Sequence, residues 1–233
     1  MLVEIWSDVV CPWCAIGKAR FDKALAAFPR AQEVEVAWRS FELDRHAGPS
    51  SDAGISYASR LAQKYRTSVD QANVMIDRMT EQAAQEGLTF DFSIANPGNT
   101  FDAHRVIHLA ADRDRQHQVK ARFMQGYLSE GAAISRHEVL VDLATEAGLE
   151  RDEVEDTLAG EAYADAVRAD EAQAMEYGIS GVPFFVLDGR IGVSGAQPVE
   201  ALVAALDKAL PAASPLEMAG TDPEAAACGI DGC

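Results

Sequence analysis

The chain has 233 residues, 48% of them hydrophobic, and 37 acidic against 20 basic side chains give it a formal charge of −17. That length and apolar content suffice for a substantial mixed α/β core, in one large domain or two small ones. The acidic balance repels phosphates and excludes nucleic acid or an anionic membrane as a main partner, and no apolar run approaches the roughly 18 residues of a membrane span. Met1-Leu2-Val3-Glu4 enters the first strand with no basic and apolar leader ahead of it, so a cytoplasmic location is expected. Four cysteines are too few for a secreted disulfide scaffold of this size. In a reducing compartment, paired cysteines point to redox chemistry or to metal.

Val3-Glu4-Ile5-Trp6-Ser7 alternates and reads as a strand, and Ile16, Phe21, Leu25 and Phe28 then recur at helical spacing. Residues 33–43 alternate again and predict a second strand, so the chain opens as β-α-β with a parallel pair. After the turn-forming residues 45–54, nearly every segment from Tyr57 to Tyr177 reads as amphipathic helix. Ser68 with Gln71 and Ser135 with Glu138 fit reciprocal capping boxes, and Gly87 and Gly148 fit helix ends. The helix from Thr100 is expected to bury Ala103, Val106, Ile107, Ala110 and Ala111, and the one ending at Tyr177 to bury Ala166, Val167 and Ala174. Residues 182–187, an Asp188-Gly189 turn and residues 190–193 read as a hairpin. A last helix follows Pro198, carrying Val199, Leu202, Val203, Leu206 and Leu210 along one face. Pro211 and Pro215 stop it, and the small, acidic residues that follow are expected to be mobile.

Between the first strand and the first helix lies Cys11-Pro12-Trp13-Cys14. A helix N-terminus favours an anion, so Cys11 is placed where a thiolate is favoured, and Pro12 suits the first turn because its missing N–H would have no partner there. One further turn brings Cys14 within reach, and the pair can close as a disulfide and reopen by thiolate attack. The competing reading is half of a zinc site completed by Cys228 and Cys233, but Pro12 and the helical start suit a nucleophile better, and no resident metal is expected. Asp8, three residues before Cys11, is placed either to exchange protons with Cys14 or to serve as a turn residue. His104 and His108 stand one helical turn apart without an evident third ligand, which favours a solvated or hydrogen-bonded face over a metal. The two glycines between Cys228 and Cys233 allow a second disulfide, and a mobile tail of about 20 residues has a reach on the order of 25 Å, enough to deliver that pair to Cys11.

A β-α-β front and a β-β-α back are the halves of a thioredoxin-type fold. Residues 1–44 and 178–210 would form that domain, residues 45–177 an all-helical insertion and residues 211–233 the tail. With its Cys-Pro-Trp-Cys pair, the helical insertion and Gly178-Ile179-Ser180-Gly181-Val182-Pro183-Phe184-Phe185, the chain resembles the DsbA-like thioredoxin superfamily, and Asn99-Thr100-Phe101-Asp102-Ala103-His104-Arg105 is similar to its FrnE-type cytoplasmic branch. The resemblance implies a cis Pro183 against the cysteine pair, leaving the backbone of Val182 to pair with an extended substrate, and it implies Asn99 and His104 in the substrate cleft. It also implies a thiol–disulfide oxidoreductase acting on protein or small-molecule thiols and disulfides with an external thiol reductant or oxidant and no bound cofactor. A glutathione-dependent transferase or isomerase on the same topology is the alternative, and there a single Ser or Cys usually stands where this chain has two cysteines. Whether the chain is a monomer or a homodimer stays open.

Overall fold

The alternation of the first strand, β1 (Leu2–Ser7), puts Val3 and Ile5 on one face of a sheet and Glu4 and Trp6 on the other, and both faces are covered. The computed structural model describes residues 1–49 and 55–210. After β1 come α1 (Pro12–Ala27), β2 (Glu35–Ser40), α2 (Tyr57–Tyr65), α3 (Val69–Gln85), α4 (Phe101–Ala111), α5 (Gln116–Glu130), α6 (His137–Glu146), α7 (Arg151–Ala159), α8 (Ala164–Glu176), β3 (Phe184–Leu187), β4 (Ile191–Ser194) and α9 (Val199–Ala209). The sheet order is β2-β1-β3-β4, with β1 parallel to β2 and antiparallel to β3, and β3 antiparallel to β4. The β-α-β front and β-β-α back join in one sheet of thioredoxin type, with helices α2–α8 inserted between β2 and β3.

On one face Val3, Ile5, Phe185 and Leu187 join Ile16 and Phe21 of α1 and Leu202 and Leu206 of α9 in the main core, where the Phe21 and Phe185 rings lie 5.5 Å apart. On the other face Trp6 and Val186 pack with Ala174 and Ile179, and the Trp6 indole N–H donates to the Asp170 carbonyl of α8 at 2.9 Å. The β3–β4 turn has both Asp188 and Gly189 at positive φ, as an Asp-Gly hairpin turn requires.

Several details differ from the sequence pattern. The second strand spans Glu35–Ser40 rather than 33–43, because β2 is an edge and its register with β1 runs only from Leu2↔Glu35 to Ser7↔Ser40. Its outer N–H groups are covered by side chains: Trp38 donates to Gln116 Oε1 at 2.9 Å and Ser40 to Asp170 Oδ2 at 2.8 Å. The Ser68–Gln71 capping box forms, but α6 starts at His137 behind Arg136, with no side-chain cap, so Ser135 and Glu138 stand out of register for a box. Ala111 is exposed at the end of α4, and α8 buries Asp170 and Glu171 beside Val167 and Ala174.

Candidate active site

Cys11 is itself the N-cap of α1, extended at φ −90° and ψ 112°, and Pro12 fills the first helical position. The Cys14 N–H donates to Cys11 Sγ at 3.3 Å, so the first turn of the helix is closed by the sulfur. Both cysteines are free thiols. Cys11 retains 4% of its exposure and Cys14 none, which sets one sulfur at the mouth of the site and the other behind it. The Cys11 thiol also donates to the Val182 carbonyl at 3.7 Å, and the Val182–Pro183 peptide is cis. Pro183 comes against α1 at Gly17, where a Cβ would stand 2.8 Å from Pro183 Cγ; only a glycine leaves room for that approach.

Beneath the pair lie buried polar groups. Asp8 Oδ2 accepts the Leu43 N–H at 2.8 Å, which ties the loop after β2 to the turn before Cys11. Asp8 Oδ1 is 3.4 Å from His104 Nε2 of α4, both side chains being wholly enclosed. Lys120 of α5 is also fully buried, with Nζ donating to the Ser7 carbonyl at 3.1 Å and lying 5.8 Å from the centre of the Trp38 ring. Burial pushes the Asp8 carboxyl up, but His104, the Leu43 N–H and the Lys120 charge outweigh it and hold Asp8 below its ordinary value. Burial lowers Lys120 to about 8, against the opposing pull of Asp8, Cys14, Cys11 and Asp170. The Cys14 thiol is pushed well above its ordinary value by burial and by the neighbouring Cys11 sulfur, while a hydrogen bond from the Asp8 backbone and the Lys120 charge act the other way.

Above the pair opens a cleft of about 460 Å³, lined by Cys11, Trp13, Leu43, Tyr57, Tyr127 and Val182 among others, with Arg60 and Lys64 of α2 at its side. Asp8, Pro12 and the backbone around Val182 also reach it. Asn99 and His104 are not among its lining residues. The Asn99 side chain accepts the Phe101 N–H at 2.9 Å at the start of α4 and donates to Glu42 at 3.2 Å. His104 points under the dithiol rather than into the cleft, because the inner face of α4 packs onto the core there. His108 turns to Asp170 at 2.9 Å and Ser40 Oγ at 3.1 Å, so the two histidines serve different neighbourhoods. Cys228 and Cys233 lie outside the described residues.

Two residues of the site, Lys120 and Gly17, carry no motif. For Lys120 the signal existed: it occupies the apolar stripe that continues with Phe123, Met124 and Tyr127 at i+3, i+4 and i+7, where a lone lysine is out of place. Nothing in the sequence marks Gly17, whose neighbour Pro183 comes from the far end of the chain.

The profile of the DSBA-like thioredoxin domain family matches residues 2–207. The chain belongs to that family. A probable DsbA oxidoreductase from Streptomyces coelicolor is 46% identical, with a TM-score of 0.86 over 100% of this chain and 98% of that one. At the level of reaction class, therefore, this is a DsbA-like thiol–disulfide oxidoreductase. An uncharacterized Bacillus subtilis protein, YwbO, is 27% identical over 191 residues, 81% of this chain and 88% of its own. Two more distant structures share the fold alone. One is a 2-hydroxychromene-2-carboxylate isomerase, at 14% identity and a TM-score of 0.64 over 89% of this chain and 95% of that one. The other is the cytosolic disulfide reductase DsbM from Pseudomonas aeruginosa, at 19% and 0.60 over 89% and 98%. Among the described residues no helix is long and apolar enough to cross a membrane.

Proposed function

We propose that Cys11 and Cys14 are the reversible dithiol of this oxidoreductase, Cys11 attacking and Cys14 resolving. The observation that carries the assignment is their asymmetry: Cys11 caps a helix at the floor of the cleft, and Cys14 is enclosed behind it. As a reductase, the Cys11 thiolate attacks a substrate disulfide and expels one thiolate. Cys14 then attacks Cys11 Sγ, forming the Cys11–Cys14 bond and expelling the second. As an oxidase the same steps run in reverse. The Val182 backbone, fixed by Pro183, offers an extended substrate a short strand partner, and Trp13 forms part of the wall beside Cys11. Asp8 supports the site by anchoring the Leu43 loop.

Substrates in this reading are protein or small-molecule disulfides and thiols, the electrons come from or go to an external thiol couple, and the reducing cytoplasm is the compartment that suits it. The finer FrnE-type assignment rests on the sequence motifs. A relay from Cys11 and Cys14 to Cys228 and Cys233 rests on the reach of the tail. The test is thiol-dependent reduction of insulin by the wild type, Cys11→Ser, Cys14→Ser and a chain ending before Cys228. We expect Cys11→Ser to lose at least about 1000-fold, and full activity in that variant overturns the assignment. Slower turnover on truncation supports the relay, and unchanged rates with every reductant refute it. A glutathione-dependent isomerase or transferase would instead keep its activity in Cys14→Ser.

A further inference from the structure

One side of α1 leads from the dithiol to the back of the cleft. Gly17 stands against Pro183 and Ala196, and Arg20, three residues on and on the same side, reaches three acceptors at once. Its Nε donates to Glu86 Oε1 at 2.6 Å, Nη2 to Gln82 Oε1 at 2.8 Å and Nη1 to the Ala196 carbonyl at 2.7 Å. The Arg20 side chain keeps 12% of its exposure and that of Glu86 10%, so these bonds are largely withdrawn from water. We propose that Arg20 is a positioning residue that sets the width of the substrate cleft, by tying its two walls to the helix that carries the dithiol.

Each wall can be traced from the guanidinium. Met75, Met79, Gln82 and Glu86 form one stripe along α3 and its C-terminal cap; the first two line the cleft and the last two hold Arg20. On the other side, the N–H of Gly195, next to Ala196, donates to the Pro183 carbonyl at 2.8 Å, and Val182 lines the cleft and accepts from the Cys11 thiol. A wall from the insertion and a wall from the hairpin thus meet at one side chain of α1. The Glu86 carboxylate stands at the negative end of the α3 dipole, where a carboxylate is disfavoured on its own account, and its pairing with Arg20 and with Lys23 at 2.7 Å offsets that. A guanidinium suits such a junction because it presents a rigid fork of donors, whereas an ammonium is a point charge on a flexible stem.

This inference rests on the dithiol reading, which takes the space above Cys11 as the place where substrate lies. An extended segment that touches both Val182 and the two methionines needs their spacing fixed beforehand. Walls that wander are ordered only when the substrate binds, and that cost falls on affinity rather than on the chemistry at Cys11. A disulfide too small to span the walls meets Cys11 without that cost.

The test uses the full-length chain with dithiothreitol as electron donor and two substrates, a short disulfide-bonded peptide with apolar residues beside its cysteines and hydroxyethyl disulfide, with rates corrected for direct reduction. In Arg20→Met we expect the preference for the peptide, as the ratio of the two kcat/KM values, to fall about ten-fold, through KM for the peptide rather than kcat. An unchanged ratio overturns the proposal, and so does an equal loss on both substrates, which is what a merely loosened fold gives. Arg20→Lys keeps a positive charge beside Glu86 but cannot serve three acceptors, and is expected to lower the ratio about three-fold; a wild-type ratio there overturns the role of the fork. Lys23→Met removes the other partner of Glu86 without touching either wall, so its ratio should stay at the wild-type value, and a fall equal to that of Arg20→Met overturns the proposal. Turnover of either substrate by Cys11→Ser would overturn the dithiol reading itself. An inactive Cys11→Ser beside a wild-type ratio in Arg20→Met would overturn the arginine's role alone.

Discussion

Two buried polar clusters flank β1, and they are built on opposite terms. Along the seam between α8 and β2, Asp170 accepts from the Ser40 N–H at 2.8 Å and pairs with His108 at 2.9 Å, and Glu4 accepts from Arg39 at 2.6 Å. Further along the seam Glu171 pairs with Arg45 at 2.8 Å and Arg168 at 2.6 Å, and Glu42 takes a second contact from Arg168 at 2.5 Å. Under the dithiol, Ser7 Oγ, Asp8 Oδ1 and both ring nitrogens of His104 are enclosed with no hydrogen-bond partner among the described residues, and Lys120 donates there to the Ser7 carbonyl alone. Buried polar atoms are usually satisfied, and each exception asks for a reason. At the seam the bonds fasten a helix of the insertion to the exposed edge of the sheet. Below the cysteines, charge is held near the sulfur that the proposed resolving step would deprotonate, and unused bonding capacity is what a reacting site keeps.

The contrast is sharpest in stability. Asp170→Ala strips the Ser40 N–H and His108 of their partner and is expected to cost about 3 kcal/mol in urea unfolding. A loss within error would show that the seam does not fasten α8 to β2.

Lys120→Met should do the reverse. The native ammonium releases its proton at about 8 and the unfolded chain at 10.5, so between those values the unfolded state binds more protons and wild-type stability rises with pH. Below pH 8 the buried charge is a penalty of up to about 3 kcal/mol, which methionine relieves. The variant's advantage should be largest at pH 7 and shrink towards pH 10.5. Destabilisation at pH 7 would mean that the lysine fastens the fold much as the seam residues do.

Tyr127 and Cys14 carry the opposite sign at higher pH. Burial raises the Tyr127 phenol to about 12, with the Asp8 charge adding to the rise, and Cys14 is raised as well. Their contribution is full below the ordinary thiol and phenol values and is lost as pH climbs through the native ones. Tyr127→Phe should therefore unfold less steeply between pH 10 and 12, and an unchanged alkaline limb would place that loss elsewhere.

Asp8→Asn should give the smallest change. The native carboxyl is held below its ordinary value, so its contribution is present above pH 4 and is lost as pH falls through the native value. The variant should lose that contribution at neutral pH, and the acid limb of its stability curve should flatten.

These clusters differ in how far the sequence discloses them. Both strands of the hairpin, its Asp188-Gly189 turn and the dithiol at a strand-to-helix passage are local patterns; the turn and the dithiol stand where the spacing put them, while the strands run Phe184–Leu187 and Ile191–Ser194 rather than 182–187 and 190–193. Asp170 and Glu171 look like ordinary solvated charges on α8, because a helical pattern tells which residues share a face and not what that face meets. Family likeness puts Asn99 and His104 in the cleft, whereas the structure turns the Asn99 side chain to the Phe101 N–H and His104 to the floor of the site.

By itself the sequence determined the chemistry available at the head of α1. Cysteine spacing, proline at the first helical position and the strand-to-helix switch are all short-range properties, and a disulfide of this kind needs only one helical turn. Which sulfur meets the cleft, which backbone lies across from it and which charge lies beneath were decided by tertiary structure alone. Val182, Gly17 and Lys120 come from three distant parts of the chain, and only packing the insertion and the hairpin onto β1 and α1 brings them to the dithiol.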